Sequence, residues 1–237
     1  MPDGRLRAFE TIRPEQGGSY APVLFVHWFE PEEPQTNNRS QFKDEASILA
    51  REGAVCLLVE TMWSDLDWFY KRTQEDDESN SIRQMIELRV AINLLLAEPD
   101  ADAERLTVVG HDFGAMYGVL TGAVDKRPKY YVLMAGTARF SDWYLYFPKL
   151  EGEEREAFIE TMTTYDPITH IANLAPAAIL FQFGRQDPHV PAARAEMLIE
   201  NTKSDMEVGW YQAGHGLNEQ ARNERLAWLR KKLTLGG

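Results

Sequence analysis

The 237-residue chain predicts a single doubly wound α/β domain, a mostly parallel sheet with helices on both faces. Three observations carry that expectation. Short apolar runs, mostly β-branched or aromatic, recur at 23–28, 54–60, 106–110, 130–135, 177–183 and 207–211, as strands buried on both faces require. Helix-like segments at 41–51, 81–97, 115–124, 192–201 and 218–232 lie between them. Residues 110–114 read Gly-His-Asp-Phe-Gly between an apolar run and a helix, the pattern of a sharp strand-to-helix turn that lifts its middle residue, Asp112, above a parallel sheet.

Taken in order, the first long strand ends in Val26-His27-Trp28-Phe29-Glu30, a loop at the carboxyl edge of the expected sheet. The 54–60 run holds the only cysteine, Cys56, which reads as a buried strand thiol. In the 81–97 helix, Ile82, Met85, Ile86, Val90 and Leu94 take helical spacing and are expected to face the core, with Ser81 as N-cap and Pro99 beyond the end. Between the strands near Ala135 and Ala177 stand about forty residues, several times a usual loop. This insertion, 138–176, opens with Phe140-Ser141-Asp142-Trp143-Tyr144-Leu145-Tyr146-Phe147 and is expected to form a small lid before the penultimate strand. The last helix sets Leu226, Leu229 and Leu233 on one face and gathers basic residues at its C-terminus, where the dipole favours them.

The net charge of −12 excludes the basic face that nucleic acid or an anionic membrane needs, which leaves a small molecule as the expected partner and the oligomeric state open. Acidic runs such as Glu75-Asp76-Asp77-Glu78 read as solvated faces. Residues 1–5 carry no apolar leader core and no 18-residue apolar stretch occurs, so a cytoplasmic location is expected. The five histidines lack metal-ligand spacing and no Gly-rich nucleotide loop is present, so neither a metal nor a cofactor is expected.

Chemistry-bearing residues follow three of the predicted strands: Asp112; then Gly184-Arg185-Gln186-Asp187-Pro188-His189-Val190-Pro191; then Ala213-Gly214-His215-Gly216. In that order and on those strands the chain resembles the α/β-hydrolase superfamily. The resemblance implies Asp112 as nucleophile, Asp187 as orienting acid and His215 as base. Its oxyanion hole would use the backbone N–H of Phe113 and that of Trp28 or Phe29. The elbow is similar to those of epoxide hydrolases and dehalogenases, which use an aspartate. The rest, including Tyr165-Asp166-Pro167-Ile168, looks closer to small dienelactone-hydrolase-like proteins, which use Ser or Cys.

An aspartate with a reference pKa of about 3.9 is expected to be ionised at neutral pH, ready to attack without a base. Attack on an alkyl carbon gives an enzyme ester that water can cleave, whereas attack on an ester carbonyl gives an anhydride. The expected activity is therefore cofactor-independent hydrolysis of a small apolar molecule, an epoxide or carbon–halogen bond, through a covalent Asp112 intermediate. An esterase or lactonase is the alternative, and a non-catalytic ligand-binding member of the fold is a third. His27, Trp63, Trp143, Tyr144, Tyr146 and Tyr165 are the expected pocket residues, with tyrosines as proton donors or indoles as halide holders. His111 is expected to pack beneath the turn and His189 to face solvent.

Overall fold

The structure, a computed structural model, describes residues 8–15 and 17–236. The leader-free reading of residues 1–5 lies outside them. Seven strands form one sheet in the order β1-β3-β2-β4-β5-β6-β7. These are β1 (Phe9–Ile12), β2 (Ala21–Val26), β3 (Ala54–Val59), β4 (Thr107–His111), β5 (Tyr130–Met134), β6 (Ala178–Gly184) and β7 (Met206–Tyr211). All neighbours pair in parallel except β1, which runs antiparallel to β3 with Phe9 opposite Val59. That edge strand escapes the sequence because it is short and half-polar, with Phe9 exposed.

Every residue of β2, β3 and β4 is buried, and successive side chains serve opposite layers. Leu24, Val26, Leu57 and Val108 meet α3 (Gln74–Leu96), α4 (Phe113–Val124) and α8 (Ala192–Asn201). Val23, Phe25, Cys56 and Val109 meet α1 (Lys43–Arg51) and α9 (Glu219–Leu233). On α9, Leu226, Leu229 and Leu233 are buried and Asn218 caps the start through its side-chain oxygen on the Ala221 N–H. The Cys56 thiol is buried and its ionisation suppressed by that burial.

One helix differs from expectation in start and in face. α3 begins at Gln74, with Glu75, Asp76 and Asp77 in a first turn that suits carboxylates, so Ser81 is an interior residue rather than an N-cap. The buried side carries Ser81, Gln84, Leu88, Ala91, Ile92 and Leu95, whereas Ile82, Ile86, Val90 and Leu94 are 38–45% exposed. Partners explain the rotation. The Ser81 hydroxyl bonds the Tyr117 hydroxyl at 3.0 Å, and Gln84 Oε1 accepts the Met62 N–H at 2.9 Å. Asp77 belongs to no solvated face: it is fully buried and ion-paired to Arg72.

The 138–176 segment comprises α5 (Ser141–Tyr144), α6 (Gly152–Thr163) and α7 (Pro167–His170), followed by a short 3₁₀ turn at Ile171–Leu174. It buries Phe140, Tyr144, Phe158 and Met162 in the layer above α4. None of the helices among the described residues is long and apolar enough to cross a membrane.

Candidate active site

The elbow stands where β4 passes into α4. Asp112 has φ 54° and ψ −117°, a conformation that costs a non-glycine residue free energy and persists only where surrounding structure enforces it. The enforcement comes from close packing. A Cβ on Gly110 would lie 2.3 Å from the Gly114 carbonyl oxygen, and one on Gly114 would lie 2.1 Å from that of Val26. Both glycines are therefore required by the approach of α4 to β2 and β4. Gly114→Ala should destabilise the fold by about 3 kcal/mol. A urea-denaturation midpoint equal to wild type would show that the elbow can open at no cost.

The Asp112 carboxylate is fully buried. Its Oδ2 accepts the Phe29 N–H at 3.1 Å, and the Phe113 N–H adds to the stabilisation of its charge. The Phe29 amide, one of the pair expected to form an oxyanion hole, is thus occupied by Asp112 itself. Trp28 does not contribute: its N–H donates to Gln41 Oε1 and its indole N–H to the Thr36 carbonyl. Asp112 Oδ1 has no hydrogen-bond partner, and His215 Nε2, likewise unpartnered, stands 4.0 Å away, beyond hydrogen-bond reach.

His215 is oriented from behind. Its Nδ1–H donates to Asp187 Oδ2 at 2.8 Å, which leaves Nε2 as the basic nitrogen. The other Asp187 oxygen accepts the N–H groups of His189 and Val190 at 2.8 and 3.1 Å. Burial pushes against the Asp187 carboxylate, but the His215 hydrogen bond and charge and these two amides hold it below the ordinary carboxylate range. For His215, burial alone lowers proton affinity. The Asp187 hydrogen bond and the charges of Asp112 and Asp187 more than offset it, so the net shift is upward. Asp142 is elsewhere, accepting from Thr137 and pairing with Arg194.

Burial raises Asp112 to about 7, with His215 and the two amides opposing the rise. The expectation of a carboxylate fully ionised at neutral pH is corrected accordingly, because a desolvated site penalises the charge.

Phe29, Phe69, Tyr70, Trp143 and Tyr146 line a cavity of about 240 Å³ that opens beside His215. Glu30, Pro31, Glu32 and His189 complete its wall. Of the expected pocket residues, Trp143 and Tyr146 line it and the other four do not. His27 is buried under the loop, bonded to Ser64, Thr61 and the Trp28 carbonyl, and burial lowers its pKa to about 4. Trp63 is fully buried with its indole N–H on the His27 carbonyl. The Tyr144 hydroxyl bonds that of Tyr117 at 2.6 Å, and the Tyr165 hydroxyl donates to Glu78. These side chains already have partners inside the fold, which is why aromatic composition alone misplaced them.

His111 packs as expected, stacked on Trp28 with Nε2 donating to the His215 carbonyl and Nδ1 accepting from Gln41 Nε2. His189 is half-buried rather than fully solvent-facing. Its ring lies 5.2 Å from Trp143 and 5.3 Å from His215, and its Nδ1 is buried without a partner. Trp143 Nε1 is also buried and unpartnered. Buried polar atoms are normally satisfied; three of the residues with an unsatisfied atom, Trp143, His189 and His215, line the cavity, and Asp112, fully buried, stands behind His215, so these atoms mark where a ligand's polar groups would be met.

Sequence reasoning missed Arg72, whose guanidinium is buried. It pairs with Asp77, donates to the carbonyls of Tyr144 and Phe147, and lies 4.8 and 4.4 Å from the ring centroids of Phe69 and Tyr144. It joins α2 (Trp68–Lys71), which supplies Phe69 and Tyr70, to the segment that supplies Trp143 and Tyr146. No motif signals this contact, because its partners are backbone carbonyls about seventy residues away.

An acetyl xylan esterase from Paenibacillus sp. R4 superposes with a TM-score of 0.80 at 14% identity, covering 97% of this chain and 80% of its own. The Bacillus cereus carboxylesterase does so at 0.64 and 18% identity, covering 97% and 96%. A protein assigned as a dienelactone hydrolase, from Klebsiella pneumoniae subsp. pneumoniae MGH 78578, does so at 0.66 and 15%, covering 98% and 94%. No curated protein matches the chain. The prolyl oligopeptidase family matches residues 40–234. With the family spanning most of the chain and the sheet shared with these structures, the chain belongs to the prolyl oligopeptidase family and is a hydrolase of the α/β-hydrolase superfamily.

Proposed function

We propose that this chain hydrolyses a small carboxylic ester or lactone without a cofactor, using Asp112, His215 and Asp187. The observation that carries the reading is the Asp187-bound His215, which lines a cavity and keeps an unpartnered Nε2, on a scaffold shared with esterases. In this reading His215 takes a proton from a water molecule that Asp112 Oδ1 orients, and that water attacks the carbonyl carbon. Asp112 Oδ2 already fills the Phe29 amide, so the carbonyl oxygen would need another donor. The unpartnered Trp143 Nε1 beside His215 supplies one.

A second reading rests on one specific observation, the occupied Phe29 amide. With Oδ2 held there and Oδ1 free, Asp112 is arranged to attack an alkyl carbon of an epoxide or carbon–halogen bond. The resulting ester would be cleaved by water at the aspartate carbonyl, and its oxyanion would form at Oδ2, already held by the Phe29 N–H. The comparisons favour the ester or lactone; the position of Oδ2 favours the alkyl route.

A panel of esters, lactones, epoxides and alkyl halides assayed with one preparation tests both. Turnover of epoxides or halides without esters would overturn the first reading. Binding without any turnover would reduce the chain to a ligand-binding member of the fold.

Either route needs Asp112 ionised and His215 neutral, and both pKa shifts are upward. The rate should therefore rise with pH through about 7 and be largely lost a unit or more below it. A kcat profile flat between about pH 5 and pH 8 would count against Asp112 acting as an anion.

A further inference from the structure

We infer that the cavity beside His215 selects substrates carrying a cationic, alkylammonium-type group and rejects those carrying a carboxylate. This rests on reading that cavity as the substrate site. The aromatic side chains of Phe29, Phe69, Tyr70, Trp143 and Tyr146 line a space of about 240 Å³, small enough to bring a compact headgroup against several rings at once. Aromatic faces attract a desolvated cation and repel an anion, because the ring quadrupole is negative over the face.

Apart from the histidines His189 and His215, the charged residues of the cavity wall have one sign. Glu30 and Glu32 form part of its wall, and no lysine or arginine does among the described residues. Glu30 is held in place: its N–H donates to Asn37 Oδ1 at 2.7 Å, and its Oε1 accepts the Glu32 N–H at 3.2 Å. Its charge reaches far enough inward to raise the proton affinity of His215. The nearby cations are already engaged. Arg72 pairs with Asp77 behind Phe69, and Arg194 pairs with Asp142 and donates to the His189 carbonyl. An incoming carboxylate would meet Glu30 and Glu32 with no lysine or arginine to pair with, whereas an ammonium would be matched at the mouth and by the rings inside.

The test uses isosteric probes rather than substrates, so it reads binding independently of turnover. Choline, the neutral 3,3-dimethylbutan-1-ol and the anionic 3-hydroxypropane-1-sulfonate are titrated against the full chain, with saturation-transfer NMR as the readout. Choline should bind about 5- to 30-fold more tightly than the neutral alcohol, the range of a desolvated cation–aromatic contact, and the sulfonate should show no binding. Glu30→Gln combined with Glu32→Gln should shrink the choline-to-alcohol ratio, and so should Tyr70→Leu. Equal affinity for choline and the alcohol, or binding of the sulfonate, would overturn the inference. If choline is preferred but nothing in the hydrolysis panel turns over, the proposed reaction fails and the binding inference stands. Turnover without cation preference is the reverse case.

Discussion

Asp112→Ala is expected to lower kcat/KM by about 10³–10⁴-fold on whichever substrate the wild type turns over, since both proposed routes use this carboxylate. Asp112→Asn should be as inactive while being more stable than wild type at neutral and alkaline pH. The folded-state pKa of Asp112 is raised from 3.8 to about 7 by burial. The stability linked to this proton is therefore fully present below about 4 and is lost as pH rises to about 7. Removing the charge should recover roughly 2–4 kcal/mol at about pH 8, and less at about pH 5. Denaturant titrations at the two pH values check this, and an Asn variant with no alkaline gain would mean that Asp112 is not desolvated as the fold implies. Asp112→Ser separates the bond classes: it frees the Phe29 and Phe113 N–H groups and places a hydroxyl near His215 Nε2. An ester hydrolase scaffold should then gain ester turnover, whereas an epoxide or halide activity should vanish.

His215→Gln should reveal the route by what accumulates. On the alkyl route the carboxylate attacks without a base, so the first step survives and a covalent adduct on Asp112 builds up, visible as a mass increase on its peptide. On the water route no adduct forms, and the loss of turnover, about 10³-fold or more, is complete from the start. Single turnover of wild type in ¹⁸O water gives the complementary result. Label in the Asp112 peptide marks the alkyl route, and label in the first product molecule marks direct attack by water. Asp187→Asn should be milder than His215→Gln, because Asp187 fixes the imidazole through Nδ1 and does not meet the substrate.

The candidate triad was legible because each member sits at a break in pattern. Asp112, Asp187 and His215 follow strands that a parallel sheet must end on one edge, and around Asp112 the glycines Gly110 and Gly114 stand where backbones approach. The pocket was less legible. Trp63, Tyr144 and Tyr165 share composition with Trp143 and Tyr146, yet hydrogen bonds to the His27 carbonyl, Tyr117 and Glu78 hold them in the fold. The facing of α3 was hidden for the same reason. Its periodicity names Ile82, Ile86, Val90 and Leu94 as the inner face, but Tyr117 and the Met62 N–H draw Ser81 and Gln84 inward instead.

The sequence by itself determined the parallel α/β sheet, the strand-end placement of Asp112, Asp187 and His215, and the strained turn that Gly110 and Gly114 permit. These follow from local rules: runs buried on both faces have no polar alternation, and only glycine tolerates backbone at 2.1–2.3 Å from a would-be Cβ. Tertiary structure alone decided that Asp112 fills the Phe29 amide, that burial lifts its pKa to about 7, and that Arg72 joins the cavity walls. Those outcomes depend on desolvation and on contacts between segments far apart in the chain, and neither is written in the spacing of residues along it.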